Sequence, residues 1–245
     1  MRTIFIADAH LRSPVDANYR LLLRFLTELE GKLDALYIVG DLFDFWVGFP
    51  SHPFEQYDAI LNALQRLVDN GCRLIYFEGN HDFHLGTVFS QRLKAEIHTG
   101  PVAVHIQGKR LYICHGDQVN REDRFYHLLR FLLRSWPVAV SIRHFPPVWA
   151  EKIRGRLQKR SQAGYGKKTA RWDYRTILLG FAGELQHMGY DGLVTGHFHL
   201  ALQEYVGETG FTVLSLGDWM EKFTYGEMHN GELLLKTYTP ADPTS

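Results

Sequence analysis

The amino-acid sequence predicts an α/β (α+β) fold, and three observations lead to this prediction. In the first third of the chain, short apolar runs alternate with segments whose apolar residues recur at helical spacing, a pattern typical of β-α-β-α-β units. Near the end of the chain, strand-like runs follow one another, which favours a second, mixed sheet. Several predicted strands end directly before Asp, Asn or His, which indicates a polar site at the edge of the sheets.

The elements predicted for the first half of the chain are three buried strands, two helices and a hairpin. Uninterrupted apolar runs predict the three strands, which are Thr3–Ala7, Ala35–Val39 and Arg73–Phe77. Apolar residues at helical spacing predict the two helices, which are Tyr19–Leu29 and Phe54–Val68. A turn at Gly108 joins two further strands into the hairpin, Val102–Ile106 and Arg110–Cys114.

Four more strands are predicted near the end of the chain, at Gly192–Thr195, Leu202–Val206, Phe211–Leu216 and Leu233–Tyr238. Before them lies a basic region, residues 121–175, with 14 Lys and Arg against 4 Asp and Glu, although the whole chain has 27 of each. The rest of the chain is therefore acidic. This asymmetry indicates two functional regions, one suited to cations and one suited to phosphates, nucleic acid or an anionic membrane.

The composition excludes several classes of protein. The 245 residues are 45% hydrophobic and 22% charged, which is typical of a globular protein and not of a disordered or fibrous chain. The two cysteines, Cys72 and Cys114, cannot form a disulfide framework, and we expect both to be buried thiols. No run of 18 uncharged apolar residues predicts a membrane span. We expect no secretory signal peptide and therefore a cytoplasmic location.

The residues that carry chemistry form five polar clusters, each directly after a short apolar strand. They are Asp8/His10, Asp41/Asp44, Asn80/His81/Asp82, His115 and His197/His199. Because sites in open α/β sheets lie beyond the carboxyl ends of the strands, we expect these clusters to converge in one crevice. Oxygen and imidazole ligands without a thiolate suit Mn²⁺, Fe²⁺ or Zn²⁺. The clusters supply about seven ligands, enough for two ions if one carboxylate bridges them.

In this order and spacing, the clusters resemble the motifs of the calcineurin-like metallophosphoesterases. The resemblance implies a two-sheet β-sandwich flanked by helices, formed by a single domain over residues 1–245 with a helical insertion or lid at about 121–175. It also implies two divalent metal ions, of which one is bound by Asp8, His10, Asp41 and His199. The other is bound by Asp41, Asn80, His115 and His197, so that Asp41 bridges the two. Asp44 would support the ligands or cap a helix, and Asp82 would orient His81.

A narrower resemblance is to the UDP-2,3-diacylglucosamine pyrophosphatases of lipid A biosynthesis. The residues that carry it extend the metal motifs and include Trp46 and Phe83-x-Leu85-Gly86. It implies hydrolysis of a pyrophosphate bond to give UMP and 2,3-diacylglucosamine 1-phosphate (lipid X), with Mn²⁺ as the metal. The implied catalytic residues are His81, Asp41 and Asn80, and the implied substrate contacts are Asn80, His81, Asp123, Tyr126, Ser161, Tyr165, Lys168 and His197. The sequence departs from this pattern at His81, where well-known members carry Arg, and at Tyr165, where Asn is frequent.

The basic region has an apolar helical stripe, formed by Phe125, Leu128, Leu129, Leu132, Leu133 and Trp136. One interpretation is a lid that packs this stripe on the core. The other is an interfacial segment with an acyl-chain groove, because aromatic residues, prolines and basic residues occur together in it. The resemblance favours the second and implies a peripheral location at the cytoplasmic face of the bacterial inner membrane, on its anionic surface. We expect no nucleic-acid partner, since the basic residues alternate with aliphatic rather than stacking side chains.

Three functions remain to be distinguished. The first is hydrolysis of an acylated UDP-sugar, with no obligate protein partner. The second is a different dinuclear-metal phosphoesterase, with a nucleotide or phosphodiester substrate. The third, a non-catalytic scaffold on the same fold, is disfavoured because all seven candidate metal ligands are present.

Overall fold

Two β-sheets face each other at the centre of the protein, with helices on their outer sides. The computed structural model describes residues 2–48, 54–135, 137–138, 140, 172–207 and 210–240. The strands are β1 (Arg2–Ile6), β2 (Ala35–Ile38), β3 (Trp46–Val47), β4 (Arg73–Phe77), β5 (Asp82–Phe83), β6 (Glu96–His98), β7 (Val102–Ile106), β8 (Lys109–Cys114), β9 (Gly192–Thr195), β10 (Ala201–Val206), β11 (Phe211–Leu216), β12 (Thr224–His229) and β13 (Glu232–Thr237). The helices are α1 (Ala17–Glu28), α2 (Asp58–Asp69), α3 (Arg124–Leu133) and α4 (Tyr174–His187), with a 3₁₀ turn at Glu55–Tyr57 and a π-helical turn at Val88–Arg92.

The first sheet has six strands in the order β13-β12-β1-β2-β4-β6, and the second has five in the order β10-β11-β9-β8-β7. Strands β1, β2 and β4 are parallel, and so are β8, β9 and β11. The carboxyl ends of β1, β2 and β4 therefore meet at one edge of the first sheet, and those of β8 and β9 meet at one edge of the second. A small third sheet pairs β3 with β5.

The layers follow from the alternation of side chains along each strand. In β1, Ile4 and Ile6 face the cluster that contains α1 and α2, whereas Phe5 faces the second sheet. Strand β8 likewise directs Ile113 towards the first sheet and Cys114 towards the cluster that contains α4. Successive residues of a strand point to opposite faces, so a strand that is apolar throughout can fill two cores at once. This explains why the central strands read as uninterrupted apolar runs.

The predicted two-sheet fold is confirmed, and most predicted strands lie within one residue of the observed ones. The prediction omitted the strands β3, β5, β6 and β12 and the helix α4. Strand β12 has Gly226 and Glu227 at its centre, and these residue types are not typical of a strand. Glu227 can be buried there because Arg2 and Lys236 form ion pairs with its carboxylate. Helix α4 has helically spaced apolar residues but two glycines, which lower its intrinsic helix propensity.

The basic region is described only in part. Its amino-terminal portion forms α3, as the apolar stripe predicts, whereas residues 141–171 lie outside the described residues. Both cysteines are buried free thiols, as predicted. Within the described residues, we find no helix with the length and apolar character that crossing a bilayer requires.

Candidate metal centre

The five polar clusters converge where the carboxyl ends of the two sheets meet. Asp8 and His10 follow β1, Asp41 follows β2, and Asn80 follows β4, all in the first sheet. The second sheet adds three more side chains after β8 and β9, which are His115, His197 and His199. A hydrogen bond of 2.7 Å from the backbone N–H of His197 to Asp8 Oδ2 joins the two edges. The predicted crevice is thus formed by both sheets.

Two groups of ligand atoms lie side by side in this crevice. In the first group, the Nε2 atoms of His10 and His199 each lie 3.8 Å from Asp8 Oδ1. In the second group, which also includes His197, His115 Nε2 lies 3.5 Å from Asp41 Oδ2.

Asp41 and Asn80 complete this arrangement. Asp41 Oδ2 also lies 3.8 Å from His10 Nε2, so this carboxylate contacts both groups. Asn80 Oδ1 lies 3.2 Å from His115 Nε2, beside the second group. The geometry thus supports the predicted division into two ligand sets around Asp41.

Two buried atoms test whether this site fits a cation. Asp8 Oδ1 and His10 Nε2 are buried and have no hydrogen-bond partner among the described residues. A buried polar atom without a partner costs about 1–3 kcal/mol, and native proteins avoid this cost. Both atoms belong to the first ligand group, and a divalent cation there would satisfy both. The residues present therefore fit a metal ion.

The backbone at the site is held in an uncommon conformation. The φ angles are positive at five of the candidate ligands, namely Asp8 (53°), His10 (43°), Asp41 (55°), His197 (69°) and His199 (51°). Left-handed backbone is uncommon for residues other than glycine, and it clusters at functional sites. The loops also approach closely, because a Cβ atom at Gly79 would overlap the Asp41 carboxylate. The fold thus directs several side chains of the site by means of strained, tightly packed turns.

Three imidazoles of the site, those of His10, His197 and His199, are held neutral, which is the form that binds metal. Burial, followed by the nearby His115, lowers the pKa of His197 to about 3, and burial lowers the pKa of His199 to about 4. Burial and the neighbouring His81 also hold the pKa of His10 well below its usual range. These side chains present lone pairs near neutral pH.

Asp41 and His115 behave differently because they form a close pair. Burial alone would raise the pKa of Asp41, but His115, His81 and His10 together hold it well below its usual range. Burial alone would lower the pKa of His115, but the Asp41 carboxylate raises it to about 10. Burial raises the pKa of Asp8 well above its usual range. Positive charge between these carboxylates is therefore favourable, and a divalent cation would supply it.

Comparisons with known proteins agree with this geometry. Residues 1–201 match the calcineurin-like phosphoesterase family. This chain belongs to that family. The clustered Asp and His side chains of this phosphoesterase accordingly form a divalent-metal site. A solved structure of an archaeal phosphodiesterase shares the fold, with a TM-score of 0.51 and 12% identity over 97% of this chain and all of that chain.

Several relatives share one name. The chain is 32% identical over 222 residues to the UDP-2,3-diacylglucosamine hydrolase of Nitrosococcus oceani, covering 89% of this chain and 88% of that protein. It is 32% identical over 239 residues to the protein of that name from Stenotrophomonas maltophilia, covering 91% of this chain and 92% of the relative. A third, from Pseudomonas paraeruginosa, is 30% identical over 222 residues, covering 89% and 91%. The predicted family and fold are confirmed.

The prediction that Asp82 orients His81 is wrong. The Asp82 carboxylate of this phosphoesterase instead accepts hydrogen bonds from the N–H groups of Asp41 and Leu42 and from the Tyr76 hydroxyl. The His81 ring lies with Nδ1 2.8 Å from the Asp44 carbonyl oxygen. Neighbouring residues of an extended segment point to opposite sides, so adjacency in sequence does not bring these two side chains together.

Asp44 caps no helix in the described structure, because the next element is the strand β3, which begins two residues later. Its Oδ1 atom lies 3.3 Å from Arg12 Nε. The Asp44 carboxylate also lies close enough to His10 and His81 to form a third group of ligand atoms with them. The predicted supporting role therefore remains a proposal, and the predicted cap is wrong.

The predicted substrate contacts are only partly described. Asp123 Oδ1 accepts the backbone N–H of Tyr126 at 3.1 Å and so caps α3. The Tyr126 ring lies 6.0 Å from the His197 ring, which places this tyrosine at the metal site. Ser161, Tyr165 and Lys168 lie outside the described residues.

Four charged residues that contact the ligand loops were not among the predicted site residues. They are Glu78, Asp117, Arg130 and Arg134. The two acids adjoin metal motifs, since Glu78 precedes Gly79-Asn80 and Asp117 follows His115-Gly116. That position is a usable sequence signal. The two arginines carry no such signal, because neither adjoins a metal motif: Arg130 lies in α3, and Arg134 directly follows this helix.

Proposed function

We propose that this phosphoesterase hydrolyses the pyrophosphate bond of UDP-2,3-diacylglucosamine, releasing UMP and 2,3-diacylglucosamine 1-phosphate in lipid A biosynthesis. The observation that carries this proposal is the pair of ligand groups joined at Asp41, in a chain whose curated relatives are named for this substrate. The relatives match about nine tenths of the chain, so the similarity extends beyond the metal motifs.

The proposed metals are two divalent cations, with Mn²⁺ preferred. Asp8, His10, Asp41 and His199 would hold one, and Asp41, Asn80, His115 and His197 would hold the other. When bound, such a pair supplies Lewis acidity, which neutralises charge on a phosphoryl oxygen and acidifies water. The protein contributes buried neutral imidazoles and carboxylates at fixed positions, so little reorganisation is needed when substrate binds.

We assign His81 the role of binding a phosphoryl oxygen. A carbonyl oxygen only accepts hydrogen bonds, so the His81 Nδ1 donates to Asp44 and the bond fixes the orientation of the ring. The His81 ring also packs edge-on against His10, with ring centroids 4.7 Å apart. The His81 ring therefore lies beside His10 of the first ligand group, and we assign the other ring nitrogen, Nε2, to the phosphoryl oxygen. In its protonated form it would donate to negative charge that develops on the phosphate.

The lipid part of the substrate is assigned to the basic region. Three apolar side chains of α3, Leu128, Phe131 and Leu132, are each more than half exposed. Exposed apolar side chains together with many basic residues are typical of a segment that meets an anionic membrane. We propose that residues 121–175 form an insertion in one phosphoesterase domain, and that Asp123, Tyr126, Ser161, Tyr165 and Lys168 contact substrate. The enzyme would then act at the cytoplasmic face of the inner membrane.

A substrate comparison tests the proposed reaction. Detergent-dispersed UDP-2,3-diacylglucosamine, ATP and a chromogenic phosphodiester are supplied to the Mn²⁺-loaded enzyme, and UMP or phosphate release is measured. We expect turnover of the acylated UDP-sugar to exceed the others. Preference for ATP or the phosphodiester would instead establish a different phosphoesterase. A chelator should abolish activity, and Mn²⁺ should restore it best among divalent metals.

Replacing the proposed bridging ligand tests the metal assignment separately. We expect Asp41→Ala to abolish activity and to lower the metal content measured by elemental analysis. Asp69→Ala, at an exposed carboxylate on α2 that is bonded to Gln65, is the matched control. An active Asp41→Ala enzyme would contradict the two-metal assignment without changing the substrate preference of the wild type.

A further inference from the structure

Helix α3 and the residue that follows it contact two of the loops that carry the proposed ligands of the second metal, the loop of Asn80 and the loop of His115. Its end contacts the loop before Asn80 through Arg134, and its middle contacts the loop after His115 through Arg130. Both arginines also donate to one carbonyl oxygen, that of Thr99 between β6 and β7, at 3.2 Å from Arg130 and 2.7 Å from Arg134. One helix therefore ties together two loops from different sheets.

Arg134 binds the backbone directly before a proposed ligand. Its Nη2 donates to the carbonyl oxygens of Gly79, at 2.8 Å, and Glu78, at 3.2 Å. Its Nη1 lies 3.2 Å from the Glu78 carboxylate. The Arg134 side chain is 12% exposed and that of Glu78 is 4% exposed, so this ion pair is largely shielded from water. Asn80 is the next residue after the bound carbonyl of Gly79.

Arg130 makes the matching contact on the other loop. Its Nε lies 2.6 Å from Asp117 Oδ2, which also accepts the Tyr126 hydroxyl at 2.8 Å. Asp117 is 3% exposed and follows His115 by two residues. The two proposed ligands Asn80 and His115 are thus each close in sequence to a residue held by an arginine of α3.

We propose that Arg134 and Arg130 are positioning residues for the second metal site, because they fix the separation of the loops that carry Asn80 and His115. This inference rests on the proposed ligand set. A planar guanidinium with several donors can hold two carbonyls and a carboxylate at once, whereas a lysine ammonium would act as a point charge. The first ligand group has no contact with either arginine among the described residues.

The test measures Mn²⁺ binding to metal-stripped protein by calorimetry, and it measures the signal of spin-coupled Mn²⁺ pairs by electron paramagnetic resonance. We expect Arg134→Met to weaken the second Mn²⁺ about 10- to 100-fold, as loss of groups that orient metal ligands does, and to leave the first unchanged. The electron paramagnetic resonance signal of coupled Mn²⁺ pairs should then appear only at correspondingly higher Mn²⁺ concentrations. Arg130→Met should act in the same direction. Arg121→Met, at an exposed pair with Glu184, should change neither constant.

A double variant separates positioning from charge balance. Arg134→Met leaves the Glu78 carboxylate buried and unpaired, which can destabilise the fold, whereas Arg134→Met with Glu78→Gln removes both charges. We expect the double variant to regain thermal stability but not the second Mn²⁺, because the carbonyls of residues 78 and 79 still lack their donor. Arg134→Lys should restore binding only in part.

Three results would overturn the inference. Equal weakening of both Mn²⁺ sites in Arg134→Met would indicate a general structural role. Full recovery of the second Mn²⁺ in the double variant would indicate charge balance alone. If the wild-type protein bound only one Mn²⁺, the proposed ligand set for two metals would be wrong, and the inference would fail with it.

Discussion

The Asp82 carboxylate accepts the backbone N–H of Asp41 at 2.9 Å, and it therefore supports the residue that contacts both ligand groups. Every partner that Asp82 has here is a donor, including the N–H groups of Leu42 and Gly79 and the Tyr76 hydroxyl. If an asparagine replaced Asp82, its NH₂ group would point hydrogens at N–H or O–H donors, and some of these donors would lose their acceptor. The fold of the Asp41 turn thus depends on a carboxylate that is not itself a proposed ligand.

Asp82→Asn should therefore destabilise the protein by about 1–3 kcal/mol, the typical cost of buried donors that lose their acceptor. It should also weaken metal binding, because the Asp41 turn loses its support. Chemical denaturation and Mn²⁺ titration measure the two effects. Asp69→Asn, at an exposed site on α2, is the control. Unchanged stability in Asp82→Asn would show that the turn is held by other contacts.

His81 provides a prediction about charge at the reacting phosphate. If it acts by electrostatic stabilisation, His81→Arg should retain substantial activity on the acylated UDP-sugar. His81→Ala should lose about 10²–10³-fold in kcat, as removal of a donor to developing charge does. Steady-state kinetics with matched metal loading measure both. If His81→Arg were as inactive as His81→Ala, the site would require the imidazole ring itself.

The ion pairs of the Glu227 carboxylate predict that the free energy of unfolding depends on pH. Burial alone would raise its pKa, but hydrogen bonds from Lys236 and Arg2 lower it below the ordinary value of 4.5. The folded state favours the ionised form of Glu227. Its contribution to the free energy of unfolding is therefore fully present above pH 4.5 and is lost as the pH falls through the folded-state pKa. We expect Glu227→Gln to lower the free energy of unfolding at pH 7 by ~1–2 kcal/mol.

The difference between wild type and Glu227→Gln should shrink as the pH is lowered from 5 towards 3. Urea denaturation at several pH values measures it. Glu232→Gln, at an exposed position of β13, is the control and should follow the wild type. A Glu227→Gln deficit that is the same at every pH would show that packing, and not charge, explains it.

The basic region predicts salt-dependent membrane binding. Attraction between exposed charges is screened over a Debye length of about 8 Å at physiological ionic strength, whereas apolar burial is not. Binding to anionic vesicles should therefore fall as salt rises. Replacing Arg154, Arg156, Lys159 and Arg160 by Gln should weaken binding further and raise the apparent KM for the lipid substrate. Vesicle co-sedimentation and kinetics measure these effects.

The matched measurement for that variant is turnover of a short, soluble phosphodiester. It should be nearly unchanged, because the metal ligands are intact. Equal loss on both substrates would instead show that the segment supports the fold.

Much of the fold was predictable because the informative signals are local. A buried parallel strand such as β4 is a continuous apolar run, and Asn80 follows it within three residues, so both could be read from one short segment. The family resemblance divided the ligands into two sets, and the geometry supports that division.

The missed features depend on distant partners. The contact between Arg134 and the Gly79 carbonyl spans 55 residues of sequence. The direction of the Asp82 side chain depends on the small sheet of β3 and β5, which has only two residues in each strand. Glu227 is buried in β12, where Arg2 of β1 and Lys236 of β13 pair with its carboxylate.

The left-handed backbone at five candidate ligands lowers the stability of the fold while it positions side chains of the site. Such a conformation costs a residue with a Cβ atom up to about 1–2 kcal/mol, less for Asp and Asn than for most, and glycine adopts it freely. A chance replacement of Asp41 or His10 by glycine would thus remove a ligand while relieving strain. Stability and metal binding thus place opposite demands on these backbone positions, and a variant more stable than the wild type at either one should bind less metal.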